Sequence, residues 1–175
     1  MSLFTIEIEN PPINTDVYLK RFSLDFGSEG TLIPTLLRTI SQEGITPETH
    51  PKAADVCAGV GSIAKIISEL GWRDVTCFDR ERVPEPEWPT WRYLDLASLG
   101  RAIIADTPLP EQVERLRYSF DLVLAVQSEL SSRYLPVVCD FLTRAGGYCY
   151  PDWTSSMDLP NWRSIRSALY LKLEN

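Results

Sequence analysis

Two carboxylates and a pair of glycines mark the stretch of this chain best equipped for chemistry. Asp55-Val56-Cys57-Ala58-Gly59-Val60-Gly61-Ser62 follows Pro51 and runs into Ile63–Leu70, where apolar residues recur at helical spacing. The pattern predicts a strand, a glycine-rich turn and a helix. Gly59 and Gly61 allow a tight turn and bring backbone amides close to a ligand. The helix behind them offers unpaired N–H groups and the positive end of its dipole. Asp79 closes the next apolar run, Asp74–Phe78, and stands 20 residues after Gly59. A nucleotide-binding βαβ unit places its ribose-binding carboxylate there. Gly59-Val60-Gly61-Ser62-Ile63-Ala64 also satisfies the dinucleotide fingerprint, with Ala in the last place. Glycine serving turn geometry alone is the plain alternative.

Other chemistries find little support. His50 is the single histidine and lies in the linker-like Thr46–Pro51, which argues against a zinc centre or a Ser-His-Asp triad. Cys57, Cys77, Cys139 and Cys149 sit within apolar runs and show no metal-ligand spacing, so they read as buried free thiols and no metal is expected. The net charge of −7 repels phosphate backbones and speaks against nucleic-acid or anionic-membrane partners. No signal-peptide pattern and no apolar run of membrane-spanning length is seen, so a soluble, cytoplasmic protein is expected.

The 175 residues suit a single domain with a real core. Three regions are expected: an N-terminal strand and helix extension over 1–50, a ligand-binding core over 51–155, and a C-terminal helix over 156–175. Leu3–Glu9 alternates like a short strand, and Thr31–Glu43 reads as a helix stopped by Gly44. Strand patterns then alternate with helical ones. Strands are expected at Lys52–Cys57, Val75–Phe78, Trp91–Leu94, Phe120–Ala125 and Tyr148–Tyr150. Helices are expected at Ser62–Leu70, near 96–105, within 110–118 and over Ser128–Thr143. Leu159–Leu173 reads as mostly helical, with a strand over Ala168–Leu173 as the alternative. Such alternation implies a three-layer αβα, doubly wound, mostly parallel sheet, with the ligand beyond the carboxyl ends of its strands.

Asp55, the Gly59–Gly61 turn, Asp79, Asp95 after the third strand and Ala125-Val126-Gln127 after the fourth would then meet at one edge. In order, spacing and residue type this set resembles the class I S-adenosylmethionine-dependent methyltransferases over roughly residues 31–155. The family's acid four residues before Gly-x-Gly is matched by Asp55. The resemblance implies S-adenosylmethionine as cofactor. Cys57, Ala58, Gly59 and Gly61 would line the turn beneath its methionine part, and Asp55 would lie near its amino group. Asp79 would accept from the ribose hydroxyls, and Arg80 would pack on adenine. Asp95 would accept from the adenine amine and the Leu96 amide would donate to the ring. Gln127 and Glu129 follow the fourth strand, where family members often orient the acceptor. They are the only candidates for a catalytic role, with Gln127 also near the cofactor. Ala145-Gly146-Gly147-Tyr148 resembles the Pro-Gly-Gly turn before the family's fifth strand.

Helix capping is the competing role for Asp79 and Asp95, and a solvated first-turn acid the competing role for Glu129. Tyr18, Tyr93, Trp153 and Trp162 are candidate walls of an acceptor pocket, with core filling as the alternative. The family sheet normally ends with two further strands, one antiparallel. Only about 25 residues follow the fifth strand here, so those two strands are expected to be missing. An open edge of that kind favours a homodimer. Cys57 stands where the fuller family pattern has Gly. Asp-x-Cys-Ala-Gly-x-Gly is also reminiscent of some DNA methyltransferases, but no Pro-Cys pair follows the fourth strand. Asn10-Pro11-Pro12-Ile13 imitates the amino-methylating motif at the wrong end of the chain and reads as a loop. The expected activity is methyl transfer to a small-molecule or protein acceptor. The alternatives are an inactive methyltransferase-like binding module and an NAD-dependent oxidoreductase.

Overall fold

The computed structural model describes residues 6–13, 32–82, 90–126, 128, 130–151, 157–166 and 168–174. The elements are α1 (Leu32–Gln42), β1 (Lys52–Val56), α2 (Ser62–Glu69), β2 (Asp74–Asp79), β3 (Trp91–Tyr93), α3 (Leu96–Ile104), α4 (Glu111–Glu114), β4 (Phe120–Leu124), α5 (Leu135–Leu142), β5 (Thr143–Tyr150), β6 (Trp162–Arg166) and β7 (Leu169–Lys172). They form one seven-stranded sheet in the order β3-β2-β1-β4-β5-β7-β6. β1 to β5 pair in parallel, and β7 runs antiparallel to both β5 and β6. Strand order reverses between β1 and β4, which makes their carboxyl ends the switch point of the sheet.

Two apolar layers sandwich this sheet. Leu36 and Ile40 of α1 and Ile63, Ala64 and Ile67 of α2 pack on one face with Ala53, Val75 and Leu122. Leu96, Leu99 and Ala102 of α3, Val113 of α4 and Leu135 and Val138 of α5 pack on the other with Ala54, Phe78 and Val123. The expected three-layer, doubly wound architecture is therefore present. β4 is buried along its whole length, as a strand covered on both faces must be.

Glycine stops place the strands. Gly44 has φ 66°; its N–H reaches the Ser41 carbonyl at 3.1 Å, and the Ile45 N–H reaches that of Ile40 at 3.1 Å. Gly71, at φ 112°, ends α2 in the same way, with Trp72 N donating to the Ile67 carbonyl at 3.3 Å. Both satisfy carbonyls that a helix end would leave open. Pro136 sits in the first turn of α5, where a missing N–H is harmless. This helix starts at Leu135 rather than at the expected Ser128, because the chain first turns through a Tyr134 N to Ser131 O bond of 2.9 Å. β5 begins earlier than expected and bulges at residues 144–147. A Cβ on Gly147 would stand 2.9 Å from the Asp121 carbonyl oxygen, so the bulge there requires glycine.

The C-terminal helix is overturned, and the alternative strand over Ala168–Leu173 is present as β7. Residues 162–172 form the hairpin β6–β7, and the two last strands expected to be missing are both present. Trp162, Ile165, Ala168 and Leu171 recur every three residues and imitate a helix. The hairpin turn carries no sequence signal, because its left-handed position at φ 60° is Ala168 rather than Gly or Asn. With β7 seated on β5, the edge expected at β5 is covered, and β6 is the edge strand on that side of the sheet. The Leu3–Glu9 strand shrinks to a single antiparallel bridge between Glu7 and Leu94; residues 3–5 lie outside the described residues. Among the described residues, no helix is long and apolar enough to cross a membrane.

Asp140, near the end of α5, anchors the hairpin. Its Oδ1 accepts from Trp162 Nε1 at 2.8 Å and Asn161 Nδ2 at 3.1 Å, and pairs with the buried Lys172 ammonium at 3.0 Å. Lys172 also donates to the carbonyls of Asp140 at 2.7 Å and Thr143 at 2.9 Å. Asp140→Ala leaves that ammonium without its counter-ion and is expected to cost about 3 kcal/mol in urea unfolding. The double variant with Lys172→Met should lose less than the two single changes added together.

Candidate functional site

At the switch point the strand ends of β1, β2 and β3 bring together the acids expected from the sequence. The β1–α2 turn has three residues in the left-handed region: Cys57 at φ 59°, Gly59 at φ 58° and Gly61 at φ 82°. Gly59 and Gly61 adopt it freely, which is why the sequence has glycine there. The turn is closed by Gly61 N donating to the Ala58 carbonyl at 2.8 Å and tied to β2 by Ala58 N donating to the Phe78 carbonyl at 3.1 Å. Gly61 then serves as the N-cap of α2. The amides of Val60, Ser62 and Ile63 donate to no described residue, so the turn presents N–H groups to whatever lies above it.

Asp55 and Asp79 brace this turn. Asp55 is almost fully buried beneath α2, and its Oδ2 accepts from the Ala64 amide in the first turn at 3.1 Å. The carboxylate thus caps the helix from the neighbouring strand. Burial, opposed by that bond and reinforced by the nearby Asp79 charge, raises its pKa to about 7. Asp79 Oδ2 accepts from Gly59 N at 2.9 Å and its Oδ1 from Glu81 N at 3.1 Å. Burial raises the Asp79 pKa too, against three backbone hydrogen bonds. The capping alternative for Asp79 is thus realised in part, on the turn rather than on a helix.

Asp95 is the N-cap of α3. Its Oδ1 accepts from Ser98 N at 3.0 Å and its Oδ2 from Ser98 Oγ at 2.8 Å. The Leu96 amide follows at the first helical position and has no acceptor among the described residues. Arg80 is exposed and its Nε lies 3.6 Å from Glu81 Oε1. Gln127 and Glu129 lie outside the described residues, as do Tyr18 and Trp153. Tyr93 is registered opposite Asp79 and stacks with Trp91 at 6.1 Å between ring centroids, which places it at the β2–β3 side of the site. Trp162 is buried against Asp140 and belongs to the core.

Ser128 had no signal in the sequence, and the strap of residues 6–13 had only the alternation read as a strand over Leu3–Glu9. Ser128 donates to Cys57 Sγ at 3.1 Å across the switch point. Residues 6–13 form a strap along its outer side. Ile8 N donates to the Tyr93 carbonyl at 3.0 Å, Asp95 N to the Ile6 carbonyl at 2.8 Å, and Arg82 N to the Pro12 carbonyl at 2.8 Å. Asn10-Pro11-Pro12-Ile13 therefore lies beside the end of β2 and not at β4, so it does not stand where the amino-methylating motif works. Among the described residues, no group of His, Cys, Asp or Glu could hold a metal ion.

The Asp55 pKa fixes a sign for pH dependence. Between about pH 4 and pH 7 the folded state holds a proton that the unfolded chain has released. Stability is therefore expected to fall as pH rises through that window, by up to about 1.4 kcal/mol per pH unit, and to level off above it. Asp55→Asn should remove the Asp55 share of this slope and leave the smaller one of the same sign from Asp79, as read from urea unfolding across the same pH range.

No family model and no curated protein matches this chain. Among solved structures it is similar to a SAM-dependent methyltransferase from Archaeoglobus fulgidus, with a TM-score of 0.48 and 15% identity. That match covers 75% of this chain and 56% of the other, so the chain spans just over half the length of the protein it resembles. The fold assignment rests on the strand order and registers themselves.

Proposed function

We propose that this chain is an S-adenosylmethionine-dependent methyltransferase acting on a small-molecule or protein acceptor. The observation that carries the reading is the braced turn at the switch point. Asp79 at the end of β2 bonds to the Gly59 amide of that turn at 2.9 Å, and Asp55 beneath it bonds to the Ala64 amide in the first turn of α2 at 3.1 Å. A ligand with an ammonium, a carboxylate and vicinal hydroxyls matches that chemistry. The amides of Val60, Ser62 and Ile63, without an acceptor among the described residues, suit the carboxylate, Asp79 suits the hydroxyls, and Leu96 N–H suits a ring nitrogen.

When bound, the cofactor supplies a sulfonium-activated methyl group. The residues of the chain need only orient it and keep water out, because in-line positioning accounts for much of such a rate enhancement. Ala125 and Val126, buried just after β4, make that side of the site apolar. A base is needed only where the acceptor must lose a proton, and Gln127 and Glu129 are the candidates for handling the acceptor.

Both oxygens of Asp79 and of Asp95 already accept protein hydrogen bonds. A carboxylate oxygen has a second lone pair, so these bonds leave acceptor capacity for a ligand.

Calorimetric titration with S-adenosylhomocysteine, with NAD as the comparison ligand, tests the proposal. Micromolar binding to the homocysteine derivative and none to NAD is the expected result. The opposite preference would establish the oxidoreductase reading, and no binding by folded protein would remove both. Asp79→Asn keeps an acceptor for Gly59 N but loses charge, and is expected to weaken binding about tenfold or more. Asp79→Ala should add a loss of stability of about 1–2 kcal/mol through the released Gly59 amide.

A further inference from the structure

We propose that Cys57 is a positioning residue, whose side chain holds the loop after β4 against the cofactor turn and so couples the two sides of the site. The inference rests on the methyltransferase reading for its functional meaning, and on geometry for the contact itself. Cys57 is one of four non-glycine residues with positive φ among those described, and the others, Asp106, Tyr118 and Ala168, lie in turns away from the switch point. Cysteine has no local side-chain bond that favours this backbone, unlike Asn or Asp. A strained residue persists where its surroundings over-determine it, and such residues cluster at functional sites.

What fixes Cys57 is a short chain of hydrogen bonds across the switch point. The Leu130 amide donates to Ser128 Oγ at 3.1 Å, and Ser128 Oγ donates to Cys57 Sγ at 3.1 Å. The thiol is half-buried against the α3–α5 side of the core. Burial pushes its pKa up to about 11, so at neutral pH it is a thiol and not a nucleophile or metal ligand. A glycine at 57 would suit the backbone better and would leave Ser128 without this partner. The replacement of glycine by cysteine in the motif is therefore a link between two loops rather than a decayed copy of the turn. The link therefore ties Ser128 and Leu130, on the segment after β4, to the turn after β1.

The test compares the parent with Cys57→Gly, Cys57→Ser and Ser128→Ala. Three readouts are used: melting temperature, amide hydrogen exchange at Ser128 and Leu130, and calorimetric affinity for S-adenosylhomocysteine. Cys57→Gly is expected to melt within about 3 °C of the parent, because relieved backbone strain offsets lost packing. Exchange at Ser128 and Leu130 should rise, and affinity should fall about tenfold. Ser128→Ala should reproduce both changes, and Cys57→Ser, which keeps an acceptor, should restore them most of the way. Unchanged exchange and affinity in Cys57→Gly and Ser128→Ala would overturn the proposal. A fall in affinity that tracks melting temperature and is not rescued by Cys57→Ser would do the same. If the parent itself binds no S-adenosylhomocysteine, the methyltransferase reading fails. The exchange comparison then still decides whether the link positions the loop. Should Cys57→Gly not fold, Ser128→Ala carries the test alone.

Discussion

The bond from the Gly59 amide to Asp79 is the contact on which the geometry of the site depends. It joins the turn after β1 to the end of β2, 20 residues away, and so fixes how far the helix α2 stands from the neighbouring strand. Asp55 performs the matching task from below, by meeting the Ala64 amide inside the first turn of α2. Between them the turn has little freedom to collapse on itself. Preorganisation of this kind lowers the ordering cost of binding, which is where a site made mostly of backbone gains its affinity.

Most of this was legible in residues 51–150. The glycines at 44, 59, 61 and 71 each occupy the left-handed region, and glycine is the residue whose presence reports such a conformation. The strands of the core were readable because they are short apolar runs between those stops, and the acids at their ends were readable because polar residues there break the run. The braces themselves were not. That Asp79 holds Gly59, or that Asp95 spends its oxygens on Ser98, depends on distances between strands that no local pattern encodes. Ser128 was invisible for the same reason. The C-terminal hairpin was misread because a three-residue apolar repeat suits a helix as well as two short strands with a turn. The deciding factor is tertiary: β7 finds an unpaired β5 to lie against and the half-buried Asp140 carboxylate for its buried Lys172.

The hairpin also shows how a parallel sheet can be completed without a crossover helix among the described residues. β6 runs in the same direction as β5 although only residues 151–161 connect them. An extended chain of that length reaches about 36 Å, enough to return along the sheet. Asp140 receives the end of this connection through Asn161 and Trp162 and the end of β7 through Lys172. One carboxylate therefore registers the far edge of the sheet, at the end of the molecule opposite the site.

Strand order has a consequence for how the chain is made. β7 sits between β5 and β6 in the sheet but comes last in the sequence. A chain emerging from a ribosome in N-to-C order completes β5 and then β6 while neither has its neighbour. The bare edge of β5 and the whole of β6 must wait for residue 172. During that interval an apolar strand edge is open to other nascent chains, the situation in which mispairing begins. In the finished fold β6 carries the exposed Arg163 and Arg166, and Arg166 pairs with Glu43.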